Sequence, residues 1–274
     1  MIPFSKAHAC GNDFLVVTED DATGFNWAEL ARNLCARTTG VCADGIEFFA
    51  WTGPKSSRVW LNNSDGSIAE ISGNGTRCVA AWMARALGSL PGEVLEIATD
   101  AGPRMCLINS LSTTNGFTVE VTTGMGVPVF APRTIILGST RRIVGIEVFT
   151  GNPHFVIVVD NADFEVFGEP WHIVGAEICG HPDFPHQTNV EFVNVLSPDL
   201  IEIRIFERGA GPTTSSGTGS SAAAVAARAF MGCLSPVTVL APGGAQIVDW
   251  EGAGAELRLT GTASLIARGE VFYA

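Results

Sequence analysis

Short runs of alternating, β-branched or aromatic residues occur along most of the chain and predict a fold rich in strands. Three of them are Thr118–Val121, Phe155–Val159 and Ile201–Ile205. Successive side chains of a strand point to opposite faces of its sheet, so one face can pack on a core. The pattern therefore indicates many short strands rather than a helical bundle.

Two Ala-rich segments interrupt this pattern and predict buried helices. Val79–Leu87 is apolar nearly all round apart from Arg85, which is typical of a helix enclosed by protein. A similar Ala-rich segment ends at Gly232. Each segment is followed by a short run typical of a strand, at Val94–Ala98 and at Val237–Leu240.

The two Ala-rich segments begin in the same way. Ser72–Thr76 reads Ser-Gly-Asn-Gly-Thr, and Ser216–Ser220 reads Ser-Gly-Thr-Gly-Ser, so that the second serine follows the first by 144 residues. A Gly-Asn pair recurs at nearly the same spacing, beginning at Gly11 and again 140 residues later at Gly151. Two landmarks at nearly one spacing indicate a duplicated unit.

The duplication predicts an α/β (α+β) chain of two pseudo-symmetric domains, each a curved sheet or barrel around a central buried helix. A length of 274 residues permits two domains of this size. Gly and Pro cluster at Gly124–Pro128, which is typical of a boundary. We expect a first half at residues 1–124, completed by a C-terminal strand at 262–274, and a second half at 125–261.

Composition excludes some partners. The chain has 16 Lys and Arg against 28 Asp and Glu, a net charge of −12, which is the wrong sign for a surface that follows phosphates. We therefore expect no nucleic-acid partner. Gly209–Ala227 is the longest stretch that could be mistaken for a membrane-spanning segment. It is full of Gly, Ser, Thr and Pro, so no membrane segment is expected either.

The cysteines and the N-terminus favour a cytoplasmic protein. Seven cysteines are scattered without a Cys-x-x-Cys pair, which is typical of reduced thiols. The first residues turn polar within five positions and lack the basic and apolar regions of a signal peptide. No metal is predicted, because His181 and His186 lie among prolines without a companion cluster of ligands.

The Gly-x-Gly segments are candidate anion sites. Each is expected to open a helix, where free backbone N–H groups and the positive end of the helix dipole attract anions. A Gly-rich turn with a serine cap is the alternative, and the duplication argues against it. The second copy, with Ala222, fits the loose Gly-x-Gly-x-x-Ala dinucleotide pattern only weakly, because residues 207–214 before it are typical of a loop.

Polar residues accompany both serines at matched spacing. Asn63 precedes Ser72 by nine residues, and Glu207 precedes Ser216 by nine. Arg77 could pair with a carboxylate beside the first site, and Arg208 has the better position for this beside the second. If the halves face each other, the two helix starts converge on one cleft. That arrangement suits inversion of a carbon next to a carboxylate, with a proton removed on one face and returned on the other.

The chain resembles the diaminopimelate epimerase family. The resemblance is collinear from residue 2 to the C-terminus and is carried by six motifs: Lys6–Phe14, Asn63–Ser67, Ser72–Cys78, Gly151–His154, Thr188–Val190 and Glu207–Gly219.

The resemblance implies a two-domain, cofactor-independent epimerase with its site between the domains. It implies interconversion of LL- and meso-diaminopimelate for lysine and cell-wall synthesis, and a homodimer. Backbone N–H groups at Gly73-Asn74 and Gly217-Thr218 would hold the reacting α-carboxylate, while His154 and Glu207 would tune the acidity of the catalytic pair. The residues that match substrate ligands of the family are Asn12, Asn63, Asn152, Asn189, Glu207 and Arg208.

The catalytic pair itself departs from the family. The resemblance places catalytic cysteines where this chain has Ser72 and Ser216, and Glu where it has Pro212. A serine hydroxyl is a much weaker acid than a thiol, so altered or lost activity is one expectation. Engineered replacement and natural divergence both remain open, with Pro212 and Ser215 favouring divergence. Two alternative functions are an isomerase, racemase or dehydratase of another amino acid, and a silent amino-acid-binding protein.

Overall fold

The computed structural model describes residues 1–114 and 116–273. The chain divides into two compact units. The first unit is Met1–Gly124 with Thr260–Ala274, and the second is Met125–Leu259.

The strands and helices are numbered in chain order. The strands are β1 (Ile2–Ala9), β2 (Asn12–Thr18), β3 (Gly45–Gly53), β4 (Ser56–Asn63), β5 (Ile68–Ala69), β6 (Val94–Thr99), β7 (Gly102–Ser112), β8 (Phe117–Gly126), β9 (Val129–Leu137), β10 (Arg141–Phe149), β11 (Pro153–Val159), β12 (Asn189–Ser197), β13 (Leu200–Glu207), β14 (Gly211–Thr213), β15 (Val237–Ala241), β16 (Gly244–Asp249) and β17 (Leu257–Val271). The helices are α1 (Trp27–Leu34), α2 (Gly73–Leu87), α3 (Trp171–Cys179) and α4 (Gly217–Phe230).

The strands of the first unit close into a barrel. The circuit of paired strands runs β1, β2, β3, β4, β6, β7, β8 and β17, and β17 returns to β1. The pairs β2–β3 and β4–β6 are parallel, whereas β1–β2, β1–β17, β3–β4, β6–β7 and β7–β8 are antiparallel. Closure leaves no unpaired edge around this circuit.

Helix α2 fills the first barrel. Its apolar residues pack in one core with strand residues such as Leu95, Ile97 and Val121. Eleven of its residues are buried, mostly small ones that let strands approach closely, and it ends at Gly88 in the left-handed region (φ 63°). Helix α1 belongs to a separate cluster, where Leu30 packs with Phe48.

The second unit repeats this order of elements. Strands β9, β10, β11, β12, β13, β15 and β16 pair in sequence, again with two parallel pairs, β11–β12 and β13–β15. Helix α4 packs its buried alanines against the apolar side chains of this sheet, and α3 packs in a second cluster. The repeat seen in the sequence is therefore also a repeat of strand pairing.

The predicted fold class is confirmed, and two details differ from the sequence interpretation. Residues Gly211–Thr213, predicted as part of a loop, form the short strand β14 along the end of β13. Helices α1 and α3, of eight and nine residues, were not predicted. Over the described part of the chain, no helix combines the length and apolarity needed to cross a membrane.

Candidate active site

Ser72 caps helix α2 in the first unit. Its backbone is extended (φ −121°, ψ 123°), and its Oγ accepts a 3.0 Å hydrogen bond from the Gly75 N–H. The side chain is half-buried, whereas the helix residues that follow are buried. The N–H groups of a first helical turn have no acceptors within the helix, and Ser72 serves as the acceptor for that of Gly75.

Asn12 and Asn74 lie together beside this helix start. The Asn74 amide donates a 3.3 Å hydrogen bond to Oδ1 of Asn12, and the Asn12 amide donates to Asp44. Arg77 donates to Oδ1 of Asn74 and is completely buried. The buried Arg77 guanidinium therefore helps to fix the orientation of the Asn74 side chain.

Asn63 ends strand β4 and is held in the following turn. Its amide donates a 3.0 Å hydrogen bond to Ser67 Oγ, and its backbone N–H donates to the Ser67 carbonyl at 2.8 Å. The side chain is half-buried.

Glu47 was missed by the sequence interpretation. It lies on β3 with only 2% of its surface exposed, and burial raises its pKa from 4.5 to about 8. It lines a narrow crevice that Ser72 also lines. The available signal was a single glutamate within the apolar run Ile46–Ala50.

Ser216 caps helix α4 in the second unit with matching geometry. Its Oγ accepts a 3.2 Å hydrogen bond from the Gly219 N–H and lies 3.4 Å from the hydroxyl oxygen of Thr218. Unlike Ser72, Ser216 is buried. The two predicted catalytic positions thus share one local structure and differ in exposure.

His154 connects a buried carboxyl to this second helix start. Its Nδ1 lies 2.8 Å from Oε1 of Glu191, and both side chains are fully buried. Its Nε2 lies 2.8 Å from Oδ1 of Asn152, whose amide donates to the Thr218 hydroxyl at 3.3 Å. Burial raises the pKa of Glu191, and His154 opposes that effect. Glu191 was also missed by the sequence interpretation.

Glu207, at the end of β13, faces the same serine. Burial raises the pKa of its carboxyl, and the neighbouring Ser216 hydroxyl lowers it. Glu191 raises this pKa further by charge repulsion, and His154 lowers it. The second unit therefore places two carboxyls and an imidazole around Ser216.

Asn189 and Arg208 form a separate pair near this network. The Arg208 backbone N–H donates a 3.0 Å hydrogen bond to Oδ1 of the buried Asn189. The Arg208 side chain is exposed and contacts the His186 carbonyl at 3.4 Å. His181 and His186 lie in a loop, and the described residues contain no group of ligands able to hold a metal ion.

Comparison with known proteins decides the family. The model of the family described as diaminopimelate epimerase matches residues 4–130 and 147–266. The diaminopimelate epimerase of Carboxydothermus hydrogenoformans is 35% identical over 285 aligned residues, covering 98% of this chain and 99% of that protein. The chain belongs to the diaminopimelate epimerase family.

Solved structures of other proteins share the fold of this member of the diaminopimelate epimerase family. A hydroxyproline epimerase from Agrobacterium vitis superposes with a TM-score of 0.72 at 16% identity, covering 98% of this chain and 90% of that one. A phenazine biosynthesis protein of the PhzF family from Bacillus anthracis gives 0.71 at 18% identity, covering 99% of both chains. At these identities the likeness concerns the fold alone.

Proposed function

We propose that the protein is an amino-acid epimerase that interconverts LL- and meso-diaminopimelate without pyridoxal phosphate, metal or nucleotide. Membership of the family supports the substrate. The observation that carries the chemistry is the duplicated helix start, in which Ser72 and Ser216 cap α2 and α4 with the same hydrogen bond. An enzyme that acts on both faces of one carbon needs two such groups.

The proposed site binds the α-carboxylate through backbone N–H groups. Gly73 and Asn74 open one helix, and Gly217 and Thr218 open the other. N–H groups and helix dipoles aimed at a carboxylate also stabilise the extra negative charge that develops when the α-proton leaves.

In this proposal the two serines exchange protons with opposite faces of the α-carbon. One hydroxyl oxygen takes the α-proton, and the other serine returns a proton to the far side. Because serine is a weak acid and a weak base, each hydroxyl needs a neighbour that takes or supplies its proton. Glu207 is placed for this beside Ser216, with His154 and Glu191 behind it.

Five further residues are proposed to bind the rest of the substrate. Exposed Arg208 suits a carboxylate, since its guanidinium can form two parallel hydrogen bonds to it. The amides that would contact the polar ends of the substrate are Asn12, Asn63, Asn152 and Asn189. On the family resemblance we also propose that the protein is cytoplasmic and forms a homodimer. Sedimentation equilibrium tests the dimer.

Incubation with LL-diaminopimelate in D₂O tests the proposed function. We expect formation of the meso isomer with deuterium at the inverted α-carbon. Binding of diaminopimelate without exchange would instead indicate a silent binding protein. Exchange with another amino acid, but none with diaminopimelate, would indicate a different racemase or isomerase on the same fold.

A further inference from the structure

Glu47 and Glu191 occupy equivalent places in the two units. Glu191 follows Glu47 by 144 residues, the same spacing that separates the two serines. On β3, Glu47 pairs with Val16 of the parallel neighbour and Leu61 of the antiparallel one. On β12, Glu191 pairs in the same way with Val156 and Ile205. Each unit thus places a buried carboxyl in the same register.

Both carboxyls approach the third residue of the neighbouring helix. A Cβ added to Gly75 would overlap Oε1 of Glu47 and would lie 3.1 Å from Cβ of Ser72. A Cβ added to Gly219 would lie 2.7 Å from Oε1 of Glu191 and 3.1 Å from Cβ of Ser216. Glycine at this position lets the carboxyl and the serine of each unit reach the same small volume.

The two carboxyls differ in their partners. Glu191 meets His154, which pairs in register with Asn189 on the neighbouring strand. The equivalent residue in the first unit is Phe14, which pairs with Gly45 and has no polar atom to offer. Within residues 1–114 and 116–273, burial alone shifts the pKa of Glu47 and no hydrogen bond to its carboxyl is found, while Ser72 Oγ accepts from Gly75 without donating its own hydrogen.

We propose that Glu47 is the positioning residue for Ser72 in the first unit. Its carboxyl accepts the hydrogen of the Ser72 hydroxyl, and Glu47 gains and loses its own proton through that hydroxyl. The proposal rests on the proposed function, in which Ser72 contacts the α-proton. The Cβ position at Gly75 overlaps Oε1 of Glu47 and lies 3.1 Å from Cβ of Ser72, so the two groups that line the crevice are close enough for a side-chain rotation to bring them into contact.

The proton balance of the step is simple. As the α-carbon loses its proton to Ser72 Oγ, the original Oγ–H proton passes to the Glu47 carboxylate, and the electron pair of the C–H bond stays on the substrate. Ser72 is a neutral hydroxyl before and after, and Glu47 becomes a neutral acid. In the opposite direction Glu47 gives its proton back to Oγ while Oγ protonates the carbanion.

The surroundings of Glu47 suit a group that gains and loses a proton near neutral pH. Burial raises its pKa to about 8, while the N-terminus of α2 favours the charged form. Two other titratable groups belong to these surroundings. Glu70 lines the same crevice and is exposed, and the Cys78 thiol of α2 has a pKa raised chiefly by burial, with Glu47 adding to it.

Stereospecific exchange tests the proposal if the wild-type protein turns over diaminopimelate. The E47Q variant should lose about 100-fold or more of α-proton exchange from the stereoisomer whose proton faces Ser72, with binding of that isomer nearly unchanged in calorimetry. E47D should recover part of the rate. E70Q, a change in the same crevice, is the matched control and should keep the wild-type rate. Wild-type exchange in E47Q overturns the proposal.

Infrared spectroscopy tests it independently of any substrate. The carbonyl band of the protonated Glu47 carboxyl, identified as the wild-type band missing from E47Q, should disappear as the pH rises through its pKa. In Ser72→Ala the band should shift in frequency and titrate at a changed pH, because its hydrogen-bond partner is gone. An unchanged band and titration overturn the proposal. If the wild-type protein exchanges no diaminopimelate, the proposed function is contradicted. The infrared titration then decides alone whether Glu47 contacts Ser72.

Discussion

Ser72 and Ser216 cap their helices in the same way, yet the side chains around them differ. Ser216 is buried with Glu207 beside it and the His154–Glu191 pair behind it. Ser72 is half-buried and shares its crevice with Glu47. Since a hydroxyl gives up its proton far less readily than a thiol, the proton transfer proposed for each serine depends on these carboxyls.

Replacing both serines by cysteine should raise epimerase activity. A thiol with an ordinary pKa of about 8.5 is partly ionised near neutral pH, and it needs no proton acceptor to become a base. We expect the S72C/S216C variant to convert LL-diaminopimelate at least tenfold faster than wild type in a deuterium-exchange assay. Ser221→Cys, a buried thiol elsewhere on α4, should leave the rate unchanged. A double variant no faster than wild type would argue against the substrate.

Glu47 should make the free energy of unfolding fall as the pH rises. Because burial raises its pKa from 4.5 to about 8, the folded chain holds a proton in that interval that the unfolded chain has lost. Its contribution to stability is complete below pH 4.5 and is lost progressively up to about pH 8. E47Q should therefore stabilise the protein above pH 8 by at most roughly 5 kcal/mol, with no such gain at acid pH.

Urea unfolding at several pH values measures this effect of E47Q. The exposed Glu256 provides the control, because E256Q should change the free energy of unfolding only slightly, and by the same amount at every pH. A pH-independent difference between E47Q and wild type would show that Glu47 does not titrate in this range.

At the scale of elements, each unit combines a buried carboxyl on a strand with a helix that begins at a serine cap. Strand β3 carries Glu47 and α2 carries Ser72, while β12 carries Glu191 and α4 carries Ser216. The close approach depends on glycine as the third residue of each helix. The position of each strand relative to its helix therefore depends on this close contact between carboxyl and glycine, in addition to apolar packing.

The Gly75→Ala substitution should destabilise the protein through Glu47. Its Cβ would overlap the Glu47 carboxyl, and forced overpacking of a core costs about 1–3 kcal/mol. The Glu47→Ala background removes the colliding atoms, so the same substitution should cost clearly less there. Urea unfolding of the four proteins in this double-mutant cycle measures the difference. Equal costs in both backgrounds would place the carboxyl elsewhere.

Much of the fold could be predicted from the sequence, because strand alternation and the duplicated Ser-Gly-x-Gly segments are local patterns. The buried helices and the polar residues that accompany each serine followed from them. Glu47 and Glu191 were missed, since a lone glutamate within a strand normally belongs to its solvent face. Only the pairing of β3 with β2 and β4 turns Glu47 towards α2.

At the scale of the whole molecule, closure of the first barrel depends on residues distant in sequence. Strand β17 pairs with β1, where Ile2 lies opposite Val271 and Ala7 opposite Leu265, and it also pairs with β8. The sequence predicted that a C-terminal strand completes the first half, but the register required the three-dimensional structure. Such long-range pairing ties the stability of unit one to the end of the chain.

Removing residues 260–274 should open the first barrel. Two strands, β1 and β8, would lose a hydrogen-bonded neighbour, and the core around α2 would be exposed along that gap. We expect hydrogen exchange of the β1 amides to become fast and unfolding to lose its cooperativity. Truncation after Val271 keeps every paired residue of β17 and should leave the β1 amides protected, with the packing of Tyr273 on Phe25 lost. Protected β1 amides in the longer truncation would contradict this closure.

Single alanine variants of the two serines test most directly whether each serine acts on one face of the α-carbon. In D₂O, Ser72→Ala and Ser216→Ala should each abolish α-proton exchange from one stereoisomer of diaminopimelate while exchange from the other continues with retained configuration. The two variants should show opposite preferences, because each keeps the group that faces the other side of the α-carbon. Equal exchange from both isomers in either variant, or wild-type epimerisation in both, would contradict the two-serine account.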